Sequence, residues 1–169
     1  MASRSQNERK FKYWEELPDG GRRYIREFAG RAGGRARYIK EVDASEHTVR
    51  FAQEIYDSAG HLVTVQEEIS RRFRSQTTVK SSSMKITRQI VADKIADYLH
   101  GKVSQAELVD WAERAMMDAD FDESDSEILA DIIGRLGLAD VAEFGLRWQD
   151  CEEFLRRLGY RAKVIVSSE

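Results

Sequence analysis

The eleven residues from His47 to Asp57, HTVRFAQEIYD, constrain this chain more than any other stretch. Val49, Phe51 and Ile55 recur at a spacing of two with Gln53 among them, while Thr48, Arg50 and Glu54 take the alternate places. That spacing marks a strand with one face buried and one in water. Its backbone needs strand neighbours on either side. The sequence supplies them. Asp57-Ser58-Ala59-Gly60 reads as a turn, after which HLVTVQEEI (61–69) returns with Val63, Val65 and Ile69 in phase. Upstream, RRYIREF (22–28) and RARYIKEVD (35–43) flank the glycine-rich GRAGGR (30–35), and Pro18-Asp19-Gly20-Gly21 marks an earlier turn. In 35–43, Ala36, Tyr38 and Val42 share one side, which Lys40 interrupts. Trp14 to Leu17 anchors the segment before the turn, and the polar residues ahead of it are expected to be frayed. The result is a four-stranded antiparallel β-meander. A single sheet of this size buries too little to stand alone and needs a covering layer.

Past residue 70 the alternation stops. Residues 71–85, rich in Ser, Thr and Arg, have the composition of a linker. From Ile86 the apolar period becomes helical, with Ile90, Val91, Ile95, Tyr98 and Leu99 on one stripe, Thr87 as N-cap and Gly101 as stop. Ser104 and Glu107 have capping-box spacing ahead of Leu108, Trp111, Ala112 and Ala115, and Ser124 and Glu127 repeat it ahead of Ile128, Leu129, Ile132 and Ile133. Val141 to Phe144 forms a short turn or helix, and residues 148–158 place Cys151, Phe154, Leu155 and Leu158 inward. YRAKVIV (160–166) alternates and is expected to be a strand. The expected fold is therefore α+β: a β-rich basic module over 1–70, a polar linker over 71–85, and an acidic helical module over 86–169. That last module has about four helices and a C-terminal β-strand.

Charge divides along the same boundary. Residues 1–83 hold 16 Lys and Arg against 12 Asp and Glu, whereas 84–169 hold 11 against 18. Opposed halves either attract each other or meet different partners. Cys151 is the single cysteine, so no intrachain disulfide forms, which suits a reducing compartment. No apolar run nears the roughly 20 residues of a membrane span, and residues 1–16 lack the apolar core of a secretory signal. A cytoplasmic protein without membrane association is expected.

The chemistry-bearing motifs are weak. GRAGGR lacks the G-K-[ST] ending of a phosphate loop and precedes a strand instead of a helix. His47, His61 and His100 have no metal-ligand spacing, and Cys151 has neither a partner cysteine nor a local base. DADFDESDSE (118–127) lacks the central glycine of a calcium loop and reads as an acidic helix entry. No catalytic residue, metal ligand or cofactor is assigned, and a non-enzyme is favoured. Two charge clusters remain. Arg22, Arg23, Arg26, Arg31, Arg35 and Arg37, interleaved with Tyr24, Tyr38 and Tyr56, are candidates for contact with nucleic acid or another anion. Acids Glu27, Glu41, Asp43, Glu46 and Glu54 intermix with them, however, and no RNA-binding motif accompanies them. Asp110, Glu113, Asp118, Asp120, Asp122 and Glu123 are candidates for contact with a basic protein partner.

Gly101, Lys102, Val103, Ser104, Glu107 and Leu108 fit the pattern G-K-[IV]-S-x-x-E-[LF] and resemble colicin-type immunity proteins. The stretches ELPDGGRRYIREFAGRAGGRARYIKEVD and ITRQIVADKIADYLHGKVSQAELVDWAERAMM are similar to small bacterial proteins. The resemblance implies a bacterial origin and a pair of the toxin–antitoxin or immunity kind, and supplies no site residues. The reading that follows is a non-catalytic interaction protein. Its acidic helical module neutralises a basic partner, either a separate toxin or the first half of the chain. The alternatives are an RNA-binding or nuclease-like toxin in the first half restrained by the second, and a structural α+β protein; self-association is open.

Overall fold

In the computed structural model, which describes residues 3–69 and 85–166, five strands run up and down in sequence order. They are β1 (Tyr13–Glu16), β2 (Arg22–Ala29), β3 (Arg35–Val42), β4 (Thr48–Tyr56) and β5 (Leu62–Ile69), every neighbouring pair antiparallel. Ahead of them lies α1 (Arg4–Lys10). The second half contributes β6 (Lys85–Ile86), α2 (Arg88–Leu99), α3 (Gln105–Asp118), β7 (Asp120–Phe121), a 3-10 turn (Glu123–Asp125), α4 (Ser126–Leu136) and α5 (Trp148–Arg157). β6 and β7 pair in parallel as a separate small sheet. The class is α+β, as expected. The linker placed at 71–85 lies outside the described residues except for Lys85.

The helices supply the covering layer the sheet needs. Tyr24 and Phe28 from β2, Ala36, Tyr38 and Val42 from β3, and Phe51 and Ile55 from β4 share one buried cluster with Ile95, Leu108, Ala112, Met116, Leu129, Ile133 and Phe154 from the helices. Tyr38 is central to it, stacked on Phe51 with centroids 5.7 Å apart and edge-on to Phe28 at 5.8 Å. α4 reaches the sheet through glycine. A Cβ on Gly134 would lie 2.2 Å from Phe28 Cζ, and one on Gly137 would lie 2.4 Å from Tyr38 Oη. With those side chains absent, Tyr38 Oη donates to the Gly134 carbonyl at 3.0 Å.

Several expectations need correction. The polar residues 3–10 are not frayed. Ser3 caps α1, and Gln6 both donates to the Phe121 carbonyl (3.1 Å) and accepts from its N–H (3.0 Å), pinning α1 to β7. The sheet has five strands instead of four, because Tyr13–Glu16 pairs with Arg22–Ile25 although all four of its residues are exposed. The box at Ser124 does not form: Ser124 Oγ donates to Asp122, Asp125 takes the cap position of α4, and Glu127 turns to Lys12 and Arg26. Residues 160–166 form no strand, and Val164, Ile165 and Val166 are exposed.

The outer face of the sheet carries an ionic ladder over all five strands. Glu15 pairs with Arg23 (2.7 Å), Arg23 with Glu41 (2.8 Å), Glu41 with Arg50 (3.5 Å) and Arg50 with Glu67 (2.8 Å). Among the described residues, no helix is long and apolar enough to cross a membrane.

Candidate functional site: a cleft between the edge strand and the third helix

Among the described residues β5 is an edge of the sheet, and residues 61–67 are exposed. Between it and α3 opens a cleft lined by Phe51, Gln53, Gln66, Glu67, Asp110, Glu113 and Arg114. Strand register brings Gln66 directly opposite Gln53. Helical spacing puts Asp110, Glu113 and Arg114 on one side of α3, where Arg114 is bound to Asp110. Gln53 is only 2% exposed. Its Nε2 donates to the Gly137 carbonyl (3.1 Å), to Tyr38 Oη (3.1 Å) and to Glu113 Oε1 (3.4 Å). Its Oε1 is buried without a hydrogen-bond partner. A buried acceptor left unmatched is costly and marks a place where a donor is missing.

No family model, curated protein or solved structure matches the chain. The likeness to immunity proteins thus rests on Gly101 to Leu108 alone. Those residues build a helix–helix connection: Gly101 takes a positive φ of 70°, and the Ser104–Glu107 capping box opens α3.

The six acidic candidates do not form one surface. Asp110 and Glu113 meet at the cleft. Asp118 lies at the end of α3, accepting from Thr48 Oγ1 at 3.2 Å and 3.8 Å from Lys40 Nζ. Asp120 is in β7. Asp122 pairs with Lys85 (3.2 Å) and caps the 3-10 turn, and Glu123 pairs with Arg9 (2.8 Å). Glu67, the third acid of the cleft, was outside the sequence reading. Its signal, an acidic residue on an edge strand, is ordinary: the register sets it opposite Ala52, and its carboxylate pairs with Arg50.

The arginine candidates are similarly dispersed, and most are neutralised. Arg26 is buried on the core side, donating to the Lys10 carbonyl (2.9 Å) and Glu127 (3.4 Å), and so presents nothing to a nucleic acid. Arg22 lies between Glu16 and Glu8, over the ring of Trp14. Arg23 belongs to the ionic ladder, Arg31 is bound to Asp150 and Arg37 to Glu27. Arg35 lies over Tyr56, 4.9 Å from its centroid. The surplus positive charge of the first half comes from Arg71, Arg72, Arg74 and Lys80, since residues 1–70 hold 12 acids and 12 bases. These four lie outside the described residues.

Two other places hold reactive groups but offer no access to them. Lys10 and Lys40 are fully buried beneath the end of α3. Lys10 Nζ donates to the carbonyls of Ala115 (3.1 Å) and Met116 (2.9 Å), and Lys40 Nζ donates to Asn7 Oδ1 (3.0 Å) and the Met117 carbonyl. Burial lowers both amines, that of Lys40 to about 8. An amine so lowered is nucleophilic in an open site, but these cap the last carbonyls of α3 and complement the negative helix end. Cys151 is buried as expected, and burial pushes its thiol up to about 11, away from the reactive thiolate. GRAGGR closes a hairpin, Gly30 N–H donating to the Gly34 carbonyl at 2.8 Å. Among the described residues, no group of three or more His, Cys, Asp or Glu is placed to hold a metal ion.

Proposed function

We propose that the protein is a non-catalytic interaction protein that binds a basic protein partner through the acidic cleft beside β5. The observation that supports this reading is the placing of Asp110 and Glu113 in one cleft with Gln53, whose buried Oε1 lacks a donor. Acidic clefts steer basic partners and fix their register. Leu62, Val63 and Val65, exposed on the adjoining edge strand, supply an apolar rim, and the exposed strand edge offers backbone groups to an incoming chain. Action of the antitoxin or immunity kind, in the cytoplasm, is part of the same proposal. Part of the helical half's acidity is directed inward: Asp118 toward Lys40, and Glu123 toward Arg9. Two of those acids are therefore partnered by Lys40 and Arg9 of the first half. Nucleic-acid contact has less support, because Arg22, Arg23, Arg31 and Arg37 are paired with carboxylates and Arg26 is buried.

The test is affinity capture with the full chain, comparing wild type with Asp110→Lys/Glu113→Lys and with a control, Asp93→Lys/Asp97→Lys, on α2. A positively charged protein should be retained by wild type and control and lost from the cleft variant. Association should weaken as salt is raised. Retention by all three proteins would defeat the reading.

A further inference from the structure

We propose that the chain forms a two-fold dimer in which residues 163–166 of each copy add as a strand to the free edge of β5 in the other. This pairing goes beyond the cleft reading and does not depend on it. Two segments of the chain lack neighbours. β5 ends the sheet, so among the described residues the backbone groups along its outer edge have no strand to pair with. At the other end of the chain, Tyr160 N–H donates to the Leu155 carbonyl (2.8 Å), and among the described residues the backbone of 161–166 makes no hydrogen bond. KVIV (163–166) carries β-branched side chains, which favour a strand. Yet Val164 is exposed, and Ile165 and Val166 are 89% and 90% exposed. Leu62, Val63 and Val65 on β5 are exposed as well. Each segment holds what the other lacks: strand-edge donors and acceptors, and an apolar surface to cover aliphatic side chains. The pairing calls on no carboxylate, and Glu67 keeps its bond to Arg50.

The two segments of one copy cannot meet along their length. Ala162 packs against the core, and Tyr160 Oη donates to Gln89 Oε1 (2.5 Å) at the start of α2. Arg88 beside it is bound to Asp125 at the entry to α4, and α4 lies over β2 with Gly134 against Phe28. β5 is three strands from β2, roughly 14 Å across the sheet, and the helical layer adds about 10 Å more. Residues 163–166 span at most about 14 Å when fully extended. They would be used up in the crossing, with nothing left to lie beside β5. A second copy has no such constraint, and exchange in both directions closes a dimer about a two-fold axis. Of the two sheet edges, β5 is the better receptor. β1 has four residues, and its Trp14 already lies against Arg4 and Arg22, whereas β5 has eight and three exposed aliphatic side chains.

The experiment is sedimentation velocity of the full chain from about 10 μM to about 1 mM, a range that reaches weak specific association. Wild type should pass reversibly from the 19.4 kDa monomer to twice that mass. Ile165→Pro takes an N–H from the added strand, and Val63→Lys/Val65→Lys places charge on the receiving edge. Each should weaken dimerisation roughly tenfold or more. Circular dichroism melting of both variants checks that they fold. Mixing the two variants identifies the contact. One has an intact edge and the other an intact tail, so a mixed dimer regains one of the two contacts. The mixture should associate about threefold or more tightly than either variant alone. Pairing of β5 with β5 gives no such recovery, and its absence overturns the proposal. So does a monomer at every concentration, a dimer unchanged by Ile165→Pro or by the β5 variant, or growth past the dimer. Every measurement uses the chain alone, so failure of the dimer leaves the cleft reading standing, and failure of the affinity capture leaves the dimer standing.

Discussion

Lys10 and Lys40, 30 residues apart in sequence, cap the same helix end: between them their ammonium groups take the carbonyls of Ala115, Met116 and Met117 at the end of α3. Asp118, 3.8 Å from Lys40, adds the nearest negative charge. Burial still outweighs these attractions, and both amines are lowered.

Stability should therefore rise with pH across the alkaline range. Lys40 falls to about 8 in the fold from 10.5, so between those values the unfolded chain binds more protons and folding gains as pH increases. The full effect of such a shift is about 3 kcal/mol. Tyr24, raised to about 12, and Tyr38, also raised, act in the opposite direction above their ordinary value of 10. Stability measured by urea unfolding should peak near pH 10, and Lys40→Met should flatten the rise from pH 8. A wild-type curve that falls steadily from pH 8 would contradict the buried-lysine assignment.

Gly134→Ala should cost about 3 kcal/mol, since its methyl would enter the Phe28 ring. Phe28→Leu in the same chain should recover most of that loss, because the obstruction is the ring tip. A double variant no more stable than Gly134→Ala would place the strain elsewhere. Thermal melting of the three variants decides.

Glu41→Gln removes the carboxylate that Arg23 and Arg50 share. The expected loss is about 1 kcal/mol at low salt, shrinking in 1 M NaCl, where screening acts over about 3 Å. Equal losses at both salt concentrations would mean that packing, not charge, is what Glu41 contributes.

The Cys151 thiol should react with a disulfide reagent only as fast as the fold opens. Burial raises it to about 11 and also shields it. At pH 8, labelling should be slow in buffer and immediate in 8 M urea. Rapid labelling of the folded chain would show that α5 does not hold it against the core.

Sequence disclosed what apolar spacing records. β2 to β4, α2, α3 and α5 were legible because their buried residues include Val, Ile, Leu, Phe and Tyr at spacings of two or 3.6, and β5 because Val63 and Val65 alternate even though they are exposed. α1 was hidden, since what it buries is Gln6, Asn7 and Lys10. β1 was hidden because it buries nothing. Lys40 interrupted the apolar side of its strand because it is a core residue whose charge is met by carbonyls 77 residues away. YRAKVIV alternates like a strand, but among the described residues no strand lies beside it. Asp110 and Glu113 were visible as acids. Their meeting with Gln53 and Glu67 depends on cross-strand register and helix placement, which sequence spacing does not encode.

The clamp made by α1 has a consequence for how the molecule is born. Lys10 leaves the ribosome 105 residues before Ala115, the carbonyl it will cap, and Gln6 waits 115 residues for Phe121. Domains begin to fold as the chain is made, so α1 can meet β2 and β3 early, whereas its bonds to the end of α3 and to β7 must wait until those residues are synthesised. Contacts of the earliest described helix are thus completed only by residues more than a hundred places further along the chain.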